Sequence, residues 1–143
     1  MKTLIFTGGF LSFALAAFHS SFYYYFNWKD DLKNISVMNA KIFMTLHIGI
    51  IALFIFFGFL SFAYTEELSR CNGFHGIVTG FYAFLWLFRT IWQVTYLKDF
   101  KSERPLLHYI LMVCFLILTA SYSIPIIAKL HLSGYFSLVS GIF

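Results

Sequence analysis

The sequence predicts an all-α integral membrane protein: an up-and-down bundle of four helices, followed by a short interfacial C-terminal segment. Three observations predict this fold class. Four apolar runs each exceed the length of about 20 residues that a helix needs to cross a bilayer. The mean hydropathy is +0.80, and only 11% of the residues are charged. The joints between the runs are short, so residues 1–143 are expected to form a single transmembrane domain.

The runs are expected to be helices because lipid offers no water to satisfy backbone N–H and C=O groups. They lack the period-2 alternation of barrel strands. The first run, residues 4–26, starts like a secretion signal, with Lys2 before an apolar stretch and Ala14-Leu15-Ala16 further on. It continues to Phe26, which is too long for the apolar region of a signal peptide. We therefore interpret it as the first span.

The remaining runs cover residues 39–64, 72–97 and 105–128. Pro105 stands where the fourth helix should begin, a position that suits its fixed φ and missing N–H. Pro125 falls in the last turn of that run, where a proline is expected to kink or end the helix. The apolar residues 130–143 are too few to span a bilayer, so we expect them along the interface or against the bundle.

Helical geometry places the small and polar residues of each run on one stripe. Small residues mark the contact faces of membrane helices because they let backbones approach closely. The stripes are therefore expected to face the interior of the bundle. In chain order they are Gly8, Ser12, Ala16 and Ser20 with His19 beside them; Ala40, His47, Gly58 and Ser61; His75, Tyr82, Trp86, Arg89, Gln93 and Tyr96; and His108, Phe115, Thr119 and Tyr122.

Five of these residues are expected near one level of the membrane. Counting from the ends of the runs at ~1.5 Å per residue puts His19, His47 and Arg89 roughly 10–12 Å below the same face. Gln93 and His108 fall a turn or two nearer to that face. We predict that these five residues form an intramembrane cofactor-binding site.

Of these five residues, Arg89 has the greatest need for a partner, because a charge near the bilayer centre costs about 2.5–3.5 kcal/mol on insertion scales. No Asp or Glu lies within any apolar run. Two kinds of partner stay open. One is Asp99, which Arg89 would reach by snorkelling past Gln93 and Tyr96. The other is an anion outside the protein: a haem propionate, a lipid phosphate or an anionic substrate.

The pattern favours a redox membrane subunit that binds haem b or a quinone. Haem ligation needs neutral imidazoles from helices that meet at one depth. His47 would pair with His19 or His108 as iron ligands, and Arg89 would neutralise a propionate. A bundle without a second domain has nowhere to pass electrons, so we expect a membrane-protein partner or a homo-oligomer besides the lipid bilayer.

Two alternatives do not involve a cofactor. Polar residues on facing helices fix the register of a bundle without any further role, as in a structural or accessory subunit. In a transporter or channel, they would instead line a proton or anion path across the bundle. The residues of that path would be His75, Tyr82, Thr119 and Tyr122.

A metal-dependent enzyme is a further alternative, with His19, His47 and His108 binding zinc or copper. No carboxylates accompany these histidines in the apolar runs. The sequence also contains no HExxH, no GxSxG and no glycine-rich phosphate loop. Cys71 and Cys114 form no CxxC pair, which disfavours a thiol relay. The sequence therefore does not predict an enzyme that acts on its own.

The basic residues predict the orientation. The face of the first and third joints carries six Lys and Arg residues, and the opposite face carries three. Cytoplasmic loops carry the excess of Lys and Arg. We therefore expect loops 1 and 3 on the cytoplasmic side of a bacterial inner (plasma) membrane, with both termini outside. No basic run interleaves with a polar surface, so nucleic acid is not an expected partner.

Overall fold

The computed structural model describes the backbone of residues 1–140 and the side chains of residues 1–132. Within residues 1–140 the chain is helical and contains no strand. A 3-10 turn at Leu32–Asn34 lies between the third and fourth helices. The helices are α1 (Lys2–Ser20), α2 (Phe22–Tyr25), α3 (Trp28–Asp31), α4 (Val37–Ala63), α5 (Thr65–Arg70), α6 (Gly73–Thr95), α7 (Phe100–Glu103) and α8 (Pro105–Ser140).

Four of these helices are long and apolar enough to cross a membrane by length and composition: α1, α4, α6 and the Pro105–Leu132 part of α8. Their bounds confirm the second and third predicted runs to within two residues at each end. The first run differs, because α1 ends at Ser20 and α2 follows as a separate short helix. Ser20 and Ser21 donate side-chain hydrogen bonds to the Ala16 and Phe18 carbonyls, and such back-bonding bends helices.

Pro125 was expected to kink or end the fourth helix, and it does not end it. Helix α8 continues through Pro125 to Ser140, so the C-terminal segment predicted as a separate element is a continuation of α8 as far as Ser140. Pro125 is fully buried. Apolar helices tolerate an internal proline where neighbouring groups satisfy the carbonyl that loses its partner. Residues 141–143 of the predicted segment lie outside the described residues.

The four long helices contact one another in the order α4, α1, α8, α6. Helix α1 packs against both α4 and α8, and α8 packs against α6. The backbones of α4 and α6 do not approach each other within 8 Å between Cα atoms. Aromatic side chains bridge these two helices instead, with ring centroids 5.5 Å apart for Phe54 and Trp86 and 4.1 Å apart for Phe57 and Tyr82. We call these four residues the aromatic seam.

Helix α1 meets α4 and α8 through small residues. A Cβ atom added at Gly8 would lie 2.7 Å from the Tyr122 ring, so only glycine lets that ring lie on α1. The Tyr122 hydroxyl is 2.7 Å from Ser61 Oγ on α4, and Ser12 Oγ donates to the Gly8 carbonyl at 2.8 Å. We call Gly8, Ser12, Ser61 and Tyr122 the small-residue seam.

The predicted stripes supply most of the buried polar groups of the described residues. Ser12, Ser61 and Tyr122 are completely buried, and Gln93 is 1% exposed. Tyr96 is an exception at 67% exposure. It follows the last residue of α6, so the helical periodicity that placed it on the stripe no longer applies.

The face of α5 carries compact surface ion pairs. Glu66 binds Lys2 at 3.0 Å and Arg70 at 2.6 Å. Hydrogen bonds from Lys2 and Arg70 hold the pKa of Glu66 below its ordinary value. Lys129 of α8 reaches the same face and donates to the Cys71 carbonyl and to Asn72 Oδ1. These contacts join α1, α5 and α8 at one end of the molecule.

Candidate functional site

The structure brings His19 and His47 together. Their rings lie 6.0 Å apart between centroids, with planes inclined by 20°. His19 Nδ1 donates to the Leu15 carbonyl, and His47 Nε2 donates to the His19 carbonyl, both at 3.0 Å. A carbonyl only accepts, so these nitrogens carry the protons of the neutral rings. The nitrogens that stay free to accept are His19 Nε2 and His47 Nδ1.

Aromatic rings pack on this histidine pair. Phe22 stacks at 4.3 Å from the His19 ring and 5.7 Å from the His47 ring, and Trp28 lies edge-on at 4.6 Å from His47. Axial ligation of haem requires two ligand nitrogens that point at one iron from opposite faces of a macrocycle. Here the two imidazole rings stack, and both contact the ring of Phe22. His47 Nε2 also donates its proton to a backbone carbonyl. The arrangement does not fit a haem between His19 and His47.

Arg89, Gln93 and His108 form a second group, which connects α6 to α8. An Arg89 guanidinium N–H donates to Gln93 Oε1 at 2.9 Å. The Gln93 amide then donates through Nε2 to His108 Nδ1 at 3.2 Å. Gln93 and His108 are 1% and 6% exposed. Because His108 Nδ1 accepts, the neutral ring carries its proton on Nε2.

Arg89 has no carboxylate partner among the described residues. The ion pairs there are formed by Lys2, Lys33 and Arg70 at the surface. Asp99, one of the two partners left open for Arg89, forms no ion pair with it in the part of the chain that the structure describes. The guanidinium donates instead to Gln93, one turn away on the same helix face.

Trp86 and Arg89 both pack against the ring of Phe115. The Arg89 guanidinium carbon lies 4.5 Å from the centre of Phe115, and Trp86 stacks on Phe115 at 6.0 Å and on Phe54 at 5.5 Å. Trp86 Nε1 is buried without a hydrogen-bond partner, and so is the Tyr82 hydroxyl. The polar cluster therefore contains donors that no protein acceptor satisfies.

An apolar groove lies beside the aromatic seam, between α4 and α6. Its volume is about 640 Å³, and its walls include Leu53, Leu60, Ile77 and Phe81. Tyr82 of the aromatic seam also lines it. The groove exists because the backbones of α4 and α6 stay apart.

The residues predicted for a transport path are divided among different neighbours. Tyr82 and Tyr122 meet edge to face at 5.1 Å. Thr119 pairs instead with Thr90 at 3.2 Å, and the ring of His75 lies 6.0 Å from that of Tyr64 at the end of the groove. Leu118 is completely buried in the same hydrophobic core as Tyr82 and Tyr122. The described side chains do not connect these residues into one polar path.

The three-imidazole metal site predicted as an alternative is not assembled. Within the described residues, no three His, Cys, Asp or Glu side chains come together in a way that could hold a metal ion. His19 and His47 form one group, and His108 is bonded to Gln93 in the other. The division follows from the helix order, because His108 faces α6.

Trp86, Phe54 and Phe115 are members of the cluster that the sequence prediction did not include. Trp86 and Phe115 stood on the predicted stripes, and Trp86 precedes Arg89 by one turn on the same face. This spacing was the available signal. Comparisons with protein-family models, curated proteins and solved structures find no match to the chain. The site is therefore interpreted from its own geometry.

Proposed function

We propose that the protein is an integral membrane subunit of a redox system, in which Arg89 and Trp86 bind the carbonyl oxygens of a quinone. The observation that supports this most is the surplus of N–H donors at the partly buried Arg89 and the buried Trp86. A guanidinium carries five N–H donors, and the hydrogen bond of Arg89 to Gln93 uses one of them. Trp86 Nε1 adds a buried donor without an acceptor.

A quinone suits this surplus because it offers carbonyl acceptors and a flat ring, and it dissolves in the bilayer. The ring would lie against the edges of Phe54, Trp86 and Phe115, because the faces of these rings stack on one another and aromatic systems favour offset or edge contacts. A buried donor without an acceptor costs about 1–3 kcal/mol, and the ligand relieves that cost. Gln93 and His108 are positioning residues, because they hold the guanidinium. In this proposal a membrane-protein partner supplies the electrons for quinone reduction.

Haem b receives less support, because the stacked histidine pair does not suit axial ligation. The visible spectrum separates the two cofactors. We expect no Soret band from folded protein that was expressed with haem available, either oxidised or reduced with dithionite. A Soret band with α and β bands that sharpen on reduction would show that the bound cofactor is haem b and not a quinone.

We also propose that the four long helices cross a bacterial inner membrane as an up-and-down bundle, with loops 1 and 3 in the cytoplasm. The excess of Lys and Arg at that face supports this orientation. On the other face, Lys2 and Arg70 are ion-paired with Glu66. A reporter fused to the C-terminus is expected to be active only outside the cytoplasm. Activity only inside would reverse the orientation.

Substituting single tryptophans tests the quinone site. In nanodiscs, we expect Trp86→Phe to weaken binding of a tail-free benzoquinone by about 2- to 12-fold, since one hydrogen bond contributes about 0.5–1.5 kcal/mol. Trp92→Phe is the matched control, because Trp92 is 40% exposed and stacks on Phe88 and Tyr96. Binding is measured as ligand-dependent thermal stabilisation.

The same experiment distinguishes the structural alternative. If the quinone does not stabilise the parent protein, or if Trp86→Phe and Trp92→Phe bind it equally well, the cluster fixes helix packing and the quinone proposal is overturned. Loss of binding in Trp86→Phe alone supports the proposal.

A further inference from the structure

The groove between α4 and α6 differs from the other helix contacts, because side chains alone close it on the inner side. The pairs α1–α4, α1–α8 and α6–α8 all have close backbone contacts, and α4–α6 has none. The resulting groove of about 640 Å³ is lined almost entirely by hydrocarbon side chains. Its lining extends from Leu53 on α4 to Tyr64, the residue after the end of that helix, which corresponds to about 16 Å at 1.5 Å per residue.

One end of the groove reaches the aromatic seam, because Phe57 and Tyr82 of the seam line it. Trp86 of the proposed quinone site lies one helical turn beyond Tyr82. The other end is formed by Tyr64 and His75 near α5. The groove therefore runs from the level of the unpartnered donors towards the opposite face of the molecule.

Charge indicates how an amphiphile would lie in this groove. Near the α5 end, Lys2 and Arg70 are paired with Glu66, and Lys129 is bonded to Cys71 and Asn72. At the other end, Arg89 and Trp86 have donors to spare. Among the described residues, a head group that accepts hydrogen bonds thus finds a cation without an ion pair at the Arg89 end, whereas the other end of the groove offers only the side chains of Tyr64 and His75. The apolar tail would then follow the groove towards Tyr64.

We propose that the groove between α4 and α6 binds the isoprenoid tail of the quinone, whose head group binds at Arg89 and Trp86. This inference rests on the proposed function. The ligand enters and leaves sideways, through the opening between α4 and α6, without separating the helices that have backbone contact. Lipid chains are as apolar as an isoprenoid tail, so the tail adds a modest increment to affinity and a preference for a tail length that fills the groove.

The test uses p-benzoquinones with zero, one, two or four isoprene units and the full chain in nanodiscs. Affinity is taken from thermal stabilisation and expressed as the mole fraction of ligand in the bilayer, which removes the effect of membrane partitioning. Ile77→Trp fills the groove, since Ile77 lines it and is 70% exposed. Ile127→Trp is the matched control, because Ile127 is 62% exposed on α8 and does not line this groove.

We expect affinity to rise several-fold from the tail-free quinone to the longer ones and then to level off. Ile77→Trp should remove this rise and leave tail-free binding unchanged, while Ile127→Trp behaves like the parent. Equal affinity for all tail lengths, or an equal effect of Ile77→Trp on tailed and tail-free quinones, overturns the tail site and leaves the head site standing. Failure of every quinone to bind overturns the head site and, with it, the tail site.

Discussion

The small-residue seam and the aromatic seam join neighbouring helices in opposite ways. In the small-residue seam, glycine and serine let α1 lie directly against its neighbours, and the Tyr122 hydroxyl has a partner at 2.7 Å. In the aromatic seam, rings hold the backbones of α4 and α6 apart. Tyr82 and Trp86 then keep polar atoms without partners.

This difference separates the polar residues whose hydrogen bonds stabilise the fold from those that the proposed quinone would satisfy. A buried hydrogen bond that is complete contributes to stability, whereas a buried donor without an acceptor is a cost that the fold carries. Such a donor in a native protein calls for an explanation, and the quinone of the proposed function would be one. The comparison therefore associates stability with the small-residue seam, and the proposed function places quinone binding beside the aromatic seam.

The largest effect is expected from Arg89. Arg89→Gln removes the charged donor, and hydrogen bonds to charged groups contribute about 1.5–3 kcal/mol, so quinone affinity should fall by about tenfold to a hundredfold. Arg104→Gln is the control, since Arg104 is exposed and contacts Tyr25. Equal affinity in the two variants would remove Arg89 from the binding site.

A smaller but still large effect is expected at Gly8. Gly8→Ala places a Cβ 2.7 Å from the buried Tyr122 ring, and overpacking of this kind costs about 1–3 kcal/mol. Gly49→Ala is the matched control, because nothing lies within 4 Å of its added Cβ. The control should be neutral or stabilised by up to about 1 kcal/mol, since alanine favours helix over glycine. Unfolding in mixed micelles measures the stability of both variants. Equal losses of stability would contradict the close contact between Gly8 and the Tyr122 ring.

Substituting Tyr122 and Tyr82 compares the two seams directly, because each seam contains one of these tyrosines. Tyr122→Phe removes the hydroxyl bonded to Ser61 and should cost about 0.6 kcal/mol, the mean for interhelical hydrogen bonds in membranes. Tyr82→Phe removes a hydroxyl without a partner and should be neutral or stabilising. The same unfolding assay measures the stability of both variants. A larger loss of stability in Tyr82→Phe than in Tyr122→Phe would contradict this comparison of the two seams.

The smallest effect is expected from pH. Ion pairs with Lys2 and Arg70 lower the pKa of Glu66 from 4.5, so their contribution to stability is complete above pH 4.5. It is lost as the pH falls through the lower pKa of the folded state. Glu66→Gln should therefore reduce the acid dependence of unfolding slightly, because exposed ion pairs contribute little. Glu67→Gln is the control, and an identical acid dependence in both variants would show that the pairs do not matter.

Hydropathy and periodicity predicted the helices well, because each depends on residues near one another in sequence. The bounds of α4 and α6 and the buried face that carries Ser12, Ser61 and Tyr122 agree with the structure. The sequence left open whether α8 ends at Pro125 or continues past it, because the tolerance of a proline depends on what packs around it.

The candidate site was predicted in part. Its polar members follow from the stripes, but its division into a histidine pair and the Arg89 group depends on which helices meet. The separation of α4 and α6 likewise depends on the size of the rings between them. A periodic pattern does not contain that information. Trp86 therefore emerged as a candidate ligand-binding residue only from the packing.

The most direct measurement uses Trp86 as its own reporter. The chain has three tryptophans, and replacing Trp28 and Trp92 by phenylalanine leaves Trp86 as the single fluorophore. Titrating this protein in nanodiscs with a tail-free benzoquinone should give saturable quenching, which is weakened about tenfold or more when Arg89→Gln is added. Quenching that rises linearly without saturation, and equally with and without Arg89, would contradict a quinone site in the aromatic seam.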